Sequence, residues 1–155
     1  MPPRFLRPLL LLFVLNTVAG CGHEPLERSP TSLASHAAGQ ALAMVGKPYR
    51  YGGNTPKGFD CSGLVQYSYG RAGIALPHGT KNLRQVSRPI SRNNLQRGDL
   101  VFFTQDGKKS SHVALYLGAG RFVHSPSSGK KVYVAGFDDR YWQRHFTEAR
   151  RIEQD

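Results

Sequence analysis

The sequence predicts an α+β domain, with helices in its first half and an antiparallel sheet in its second. Three observations carry this. Apolar residues recur at helical spacing in the first half, whereas from residue 99 onward they gather into short runs rich in Val, Phe, Tyr and Leu. The two textures follow one another and do not alternate as a βαβ array would. Gly118-Ala119-Gly120 then joins two of the strand-like runs as a hairpin turn.

The elements follow in order. Arg4 and Arg7 make a basic start, residues 9–15 are almost wholly apolar, and Val18-Ala19-Gly20-Cys21 closes the segment. The apolar run is too short for a permanent membrane span and has the form of a secretory signal. Its ending resembles a bacterial lipobox, which implies cleavage after residue 20 and lipid on Cys21. Residues 21–31 are polar, carry two prolines and are expected to tether the lipid to a domain spanning 32–155. Residues 32–45 place Leu33, Ala37, Ala41, Met44 and Val45 on one helical face, with Gly46 as a stop. A glycine-bearing loop, residues 52–58, runs into a second helix that begins near Cys61 and continues through Leu64, Val65 and Tyr69.

Gly73 and Pro77 break the chain again. Residues 80–86 form a short helix, and residues 91–97 a polar loop with a helical turn. The expected strands are 99–103, 113–117, 121–124 and 131–134; Tyr141-Trp142 adds packing, and residues 146–152 a last strand. There is no internal repeat. A chain of 155 residues has room for one domain with a real core.

The formal charge is +11, or about +9 without Arg4 and Arg7. A basic surface suits a polyanion. In an exported lipoprotein this points to cell-wall polymer or anionic headgroups, or to plain solvated surface, and not to nucleic acid. The two cysteines would pair in many exported proteins, but lipid on Cys21 leaves Cys61 as a single free thiol.

Cys61 is the centre of the chemistry. A thiol on the first helical turn lies near the positive end of the helix dipole and unpaired backbone N–H groups, which favour thiolate. Asp60 suits the N-cap position, yet its charge alone raises the thiol pKa, so a histidine is needed to activate Cys61. His112 and His124 lie in the two strands flanking Gly118-Ala119-Gly120. With Leu117 opposite Arg121, Tyr116 faces Phe122 and Ala114 faces His124. His112 then shares a sheet face with His124 as its diagonal neighbour, within side-chain reach. An even-length loop would separate them. Cys61, His112 and His124 then form a nucleophile, a base and an orienting group, the last accepting a hydrogen bond from the far nitrogen of His112.

These blocks resemble those of the NlpC-type cysteine peptidases of bacterial cell walls, a branch of the papain-like fold. Tyr49-Arg50-Tyr51-Gly52-Gly53 followed by Phe59-Asp60-Cys61-Ser62-Gly63-Leu64-Val65 is similar to that family's nucleophile block. Gly98-Asp99-Leu100-Val101-Phe102-Phe103 resembles its central strand, His112-Val113-Ala114-Leu115-Tyr116-Leu117-Gly118 its base strand, and Phe122-Val123-His124 the strand with its third polar residue. The likeness runs from about residue 41 to 152. It implies a papain-like fold, with the nucleophile helix packed on a central antiparallel sheet, and catalytic roles for Cys61, His112 and His124. It places Tyr51 beside the nucleophile, holding oxyanion or substrate. Asp60 and Ser62 shape the pocket or bind the polar ends of a stem peptide; a capping role serves both equally. The backbone N–H of Cys61 is a further oxyanion donor. The implied activity is hydrolysis of peptidoglycan peptides by a monomer without cofactor or metal, anchored through lipid to the outer membrane and facing the periplasm.

Three other readings stand beside this one. The same cysteine and histidines suit zinc, although no close-spaced ligand pair accompanies them. The same fold supports acyl transfer to an acceptor other than water. A non-catalytic wall-binding lipoprotein is the third, and the complete set of three side chains argues against it.

Overall fold

A computed structural model describes residues 30–105, 107–126 and 130–153. The expected leader, Cys21 and most of the tether lie outside the described residues. The element order is α1 (Pro30–Leu42), β1 (Asn54–Thr55), β2 (Gly58–Phe59), α2 (Cys61–Arg71), α3 (Thr80–Gln85), β3 (Ser87–Ile90), a 3-10 turn (Arg92–Asn94), β4 (Leu100–Gln105), β5 (Lys108–Gly118), β6 (Arg121–His124), β7 (Tyr133–Gly136), α4 (Arg140–His145) and β8 (Phe146–Ile152). Apart from the small β1–β2 ribbon, the strands form one six-stranded sheet in the order β3-β8-β4-β5-β6-β7, antiparallel at every pairing. The α+β class and the antiparallel sheet are as the sequence predicts.

Alternation along the strands divides the core between the two faces of this sheet. Leu100, Phe102, Val113, Leu115 and Val123 face α1 and α2, where they meet Ala37, Ala41, Leu64, Val65 and Tyr69. Val101, Phe103, Ala114 and Phe122 face the other way, onto Phe137 and Trp142. The Tyr69 hydroxyl donates to the Gly98 carbonyl at 2.8 Å and fixes α2 to the entry of β4. Gly98 has φ of 98°, and a Cβ there would run into the Ala34 backbone, so α1 closes on this turn only because the residue is glycine.

Several elements differ from expectation: β1 and β2 fall in the expected loop, α4 forms where only packing was expected, β7 lies two residues beyond the expected 131–134, and the first helix and β3 need a physical account. The first helix ends at Leu42, and residues 43–46 form turns up to Gly46, whose N–H donates to the Val132 carbonyl. Val45 therefore leaves the apolar face and is 47% exposed. The sequence also offered no sign of β3. Its Pro89 cannot donate to a ladder, and the strand is tolerated because it sits at the sheet edge, paired only with β8.

The β5–β6 hairpin decides the site. Tyr116 pairs with Phe122 and Leu115 with Val123, the expected register. The closing turn, however, is a two-residue loop, since Gly118 and not Leu117 pairs with Arg121. Ala119 and Gly120 both have positive φ, 50° and 71°, as a primed two-residue turn requires. The register shift between Tyr116 and Gly118 absorbs Leu117 as the extra residue of a bulge, which restores the parity that an even loop alone would have broken.

Candidate active site

Asp60 ends the loop before α2 with extended backbone angles, and its side chain accepts the Gly63 N–H at 2.7 Å as an N-cap. This places Cys61 on the first turn. The reason that turn can sit so close to the preceding loop is Gly63: a Cβ there would strike the Gly53 carbonyl. Cys61 is a free thiol of intermediate exposure that packs at the margin of the helix-side core. Burial pushes its pKa up to about 11, and the charge of Asp60 adds to the rise. The backbone N–H groups of Val113, Ser62 and Cys61 itself pull the other way. The expected support from the helix start is present, but burial outweighs it.

His112 and His124 lie on one sheet face, as the register requires. Their rings are nearly perpendicular, and His112 Nε2 stands 2.8 Å from His124 Nδ1. Both are buried, His112 at 1% exposure and His124 at 0%. Trp142 covers the pair, its ring 5.9 Å from His112 and 4.7 Å from His124, and Tyr133 lies 4.4 Å from His124. Burial pushes the His112 pKa down to about 4 and lowers His124 as well, where the charges of His112 and Lys130 add to the effect. Both rings are therefore neutral at pH 7.

Cys61 packs at the margin of the helix-side core and reaches the Val113 backbone N–H, one residue along β5 from His112, whose ring packs beside Phe103. No hydrogen bond among the described residues joins the thiol to the His112 ring. The structure thus brings the two histidines together and brings Cys61 to the next residue along the same strand.

The helix that begins at Cys61, the paired histidines under a tryptophan and the antiparallel sheet lie within one stretch of sequence that is shared with other proteins. The sequence pattern of the NlpC/P60 family matches residues 46–151. The chain belongs to the NlpC/P60 family. It is 40% identical over 121 residues to the murein DD-endopeptidase MepH of Escherichia coli K12, an alignment covering 75% of this chain and 45% of that protein. It is 37% identical over 155 residues to the probable endopeptidase NlpC of the same organism, covering 95% of this chain and all of that one. Several other relatives are longer, and the chain spans about half the length of the first curated relatives it matches. Among solved structures, the NlpC/P60 domain of the peptidoglycan hydrolase SagA is 30% identical, with a TM-score of 0.65 over 78% of this chain and 98% of that one. A lipoprotein-like NLP/P60 protein of Staphylococcus aureus is 36% identical, with a TM-score of 0.69 over 79% of this chain and 42% of that one.

In this NlpC/P60 chain the remaining expected residues gather in a cavity of about 540 Å3 lined by Tyr51, Asp60, Cys61 and Ser62, together with His78 and Ser111. Tyr51 is 90% exposed, so it stands at the rim and is no packing aromatic. The Asp60 carboxylate accepts from the Gly52 N–H (3.0 Å), the Gly63 N–H and the Ser62 hydroxyl (3.0 Å), and His78 Nε2 lies 3.0 Å from Oδ2. With its lone pairs occupied, Asp60 locks the loop, the helix start and the His78 segment into one piece. His78 is the residue that sequence reasoning missed. Pro77-His78-Gly79 was legible only as a break, and the signal available was a histidine in a loop before a short helix. No three His, Cys, Asp or Glu side chains among the described residues converge as a metal ion requires.

Proposed function

We propose that this chain is a cysteine endopeptidase of the bacterial envelope that hydrolyses peptidoglycan stem or cross-link peptides through a thioester intermediate. The observation that carries this is the buried His112–His124 pair, set one residue from the backbone amide that the Cys61 thiol approaches. The names of the relatives support it: one is a murein endopeptidase and one a peptidoglycan hydrolase.

The tautomers follow from the surroundings. Among the described residues His124 Nε2 is buried without a polar partner, beside the Tyr133 and Trp142 rings. Ring faces are negative, so they tolerate an N–H there better than a bare lone pair. His124 Nε2 then carries its hydrogen and Nδ1 is bare. His112 Nε2–H donates to it, and His112 Nδ1 is left bare as the base.

In the reaction, His112 Nδ1 takes the Cys61 proton as the sulfur attacks the scissile carbonyl carbon. Catalytic contacts that are long in a free enzyme tighten once substrate is bound. The oxyanion is held by the Cys61 backbone N–H at the helix start, with Tyr51 at the rim. Collapse breaks the C–N bond, and His112 returns the proton to the departing amine. Water then attacks the thioester, giving its proton to His112; the carboxylate leaves and the thiol is restored. His124 keeps the base ring in its tautomer throughout.

The leader completes the reading. Cleavage before Cys21 and lipid on that cysteine would anchor residues 21–31 as a tether to the domain at 32–155. By resemblance to Gram-negative lipoproteins, Gly22 in place of aspartate favours the outer membrane. Residues 30 and 31 already belong to α1, so the extended part, residues 22–29, reaches roughly 26–29 Å, which keeps the domain near the wall.

Mass spectrometry of products from purified peptidoglycan tests the activity. The expected outcome is release of stem-peptide fragments by the native chain and none by Cys61→Ala at equal folding. Fragment release by Cys61→Ala at the native rate refutes the proposal.

A further inference from the structure

Four donors converge on the Asp60 carboxylate, and one of them has a charge that varies. The Gly52 N–H, the Gly63 N–H and the Ser62 hydroxyl donate as neutral dipoles. The fourth is the His78 ring, whose Nε2 stands 3.1 Å from Oδ1 and 3.0 Å from Oδ2. The surroundings fix which nitrogen bears the hydrogen. A carboxylate only accepts, and the Ser62 hydroxyl, 3.3 Å from the same nitrogen, already gives its hydrogen to Asp60. His78 Nε2 therefore carries a hydrogen whether the ring is neutral or cationic, and Nδ1 is the atom that takes up or releases a proton. Nδ1 makes no hydrogen bond to the described residues.

The two partners differ in their access to water. The His78 side chain is 37% exposed and the Asp60 side chain 13%. A proton arriving from solvent at Nδ1 thus places a charge beside a shielded carboxylate. That carboxylate belongs to the residue before the nucleophile, and its field fills the nucleophile cavity. Burial raises the pKa of the Cys61 thiol and of Tyr49, and in both the Asp60 charge adds to the rise. Tyr49, Tyr51, Asp60 and Cys61 are the other titratable groups that line the cavity with His78, and β5 adds the uncharged Ser111. From α3, Asn82 donates to the His78 carbonyl at 2.8 Å, while Lys81 is exposed. No lysine or arginine pairs with Asp60 among the described residues, so His78 is the group placed to offset its charge.

We propose that His78 is a positioning residue that sets the charge the Cys61 thiol feels from Asp60. A proton gained at Nδ1 converts the hydrogen bond to Asp60 into an ion pair, offsets the carboxylate and favours the thiolate. Loss of that proton restores the full Asp60 charge. Histidine is the side chain that changes charge near neutral pH. The thiolate population then falls less steeply on acidification than that of a lone thiol. The consequence for peptide hydrolysis rests on the endopeptidase reading; the effect on the thiol does not.

Alkylation of Cys61 by iodoacetamide, a neutral reagent, tests this in the Cys21→Ser chain from about pH 5.5 to 9. His78→Gln keeps an N–H for Asp60 without charge, and His78→Arg keeps one with a permanent charge. In each variant the logarithm of the rate should rise with unit slope, the Arg line lying about three- to tenfold above the Gln line. The native chain should follow the Arg line at the acid end, flatten, and join the Gln line at the alkaline end. Burial lowers the pKa values of His112, to about 4, and of His124, and the remaining histidines are common to all three chains. A bend confined to the native chain therefore belongs to His78. A native line of unit slope throughout, or Gln and Arg lines that coincide as a merely structural role requires, overturns the proposal. A chain that shows the bend but releases no wall peptide keeps the role of His78 and refutes the endopeptidase reading; one that releases peptides with a straight native line does the reverse.

Discussion

His112 Nε2 and His124 Nδ1 stand 2.8 Å apart, both buried at 1% exposure or less, with their ring planes 81° apart. The bond links two strands whose closing loop is even, and a bulge at Leu117 makes it possible. Removing the His124 acceptor frees the His112 ring to rotate and to exchange tautomers. His124→Ala is expected to lower kcat by on the order of 10²–10⁴, the range that a positioned general base contributes. His124→Gln offers an amide oxygen to the same N–H and should recover part of the loss. The check is kcat and KM separately, since a merely structural residue would not be rescued this way.

The thiol is neutral at rest, because burial holds its pKa near 11 and both histidines are neutral beside it. Cys61 alkylation by iodoacetamide, measured in a Cys21→Ser chain so that one thiol remains, should be slow at neutral pH and rise into the alkaline range. A fast rate that is already level between pH 6 and 8 would mean a preformed thiolate, and His112 would then not act as the base in the first step.

Acid should destabilise the fold through the same histidines. Their folded pKa values lie below the ordinary value of about 6.5, so between roughly pH 6.5 and 4 the unfolded chain binds protons that the folded chain does not. The stability of the neutral pair is full above the unfolded value and is lost as the pH falls toward the folded one. Thermal unfolding followed from pH 7.5 to 4 should show Tm falling across that window. The slope should be smaller in His112→Gln.

Gly63→Ala places a methyl group against the Gly53 carbonyl. The loop must then move off α2, at a cost of about 1–3 kcal/mol for overpacking. A lowered Tm by calorimetry is expected. Activity should fall further than stability alone explains, because the same loop carries Gly52, which donates to Asp60.

Cys21→Ser tests the anchor. Wild-type protein is expected in the membrane fraction and the variant in the soluble one, with cell-wall activity of the purified chains unchanged. A variant that still fractionates with membranes would show that lipid on Cys21 does not hold the protein there.

Much of this protein is determined by short-range sequence signals. The Asp60 cap, the start of α2 at Cys61 and the strand bearing His112 are local events: a carboxylate meets an N–H three residues on, and alternation assigns each strand residue its face. The pairing of His112 with His124 was legible because register propagates from the turn, and it survived an error in loop length only because the Leu117 bulge restored parity. Other features depend on partners remote in sequence. Pro89 could join an edge strand because β8 was there to receive it. The neutral state of the histidines follows from Trp142 closing over them, and the rise of the Cys61 pKa from its burial at the margin of the helix-side core. His78 joined Asp60 across 18 residues. Helix caps and strand faces depend on neighbours a few residues away, so sequence alone specifies them. Desolvation and charge placement depend on what the whole chain packs together, and only the tertiary structure decides them.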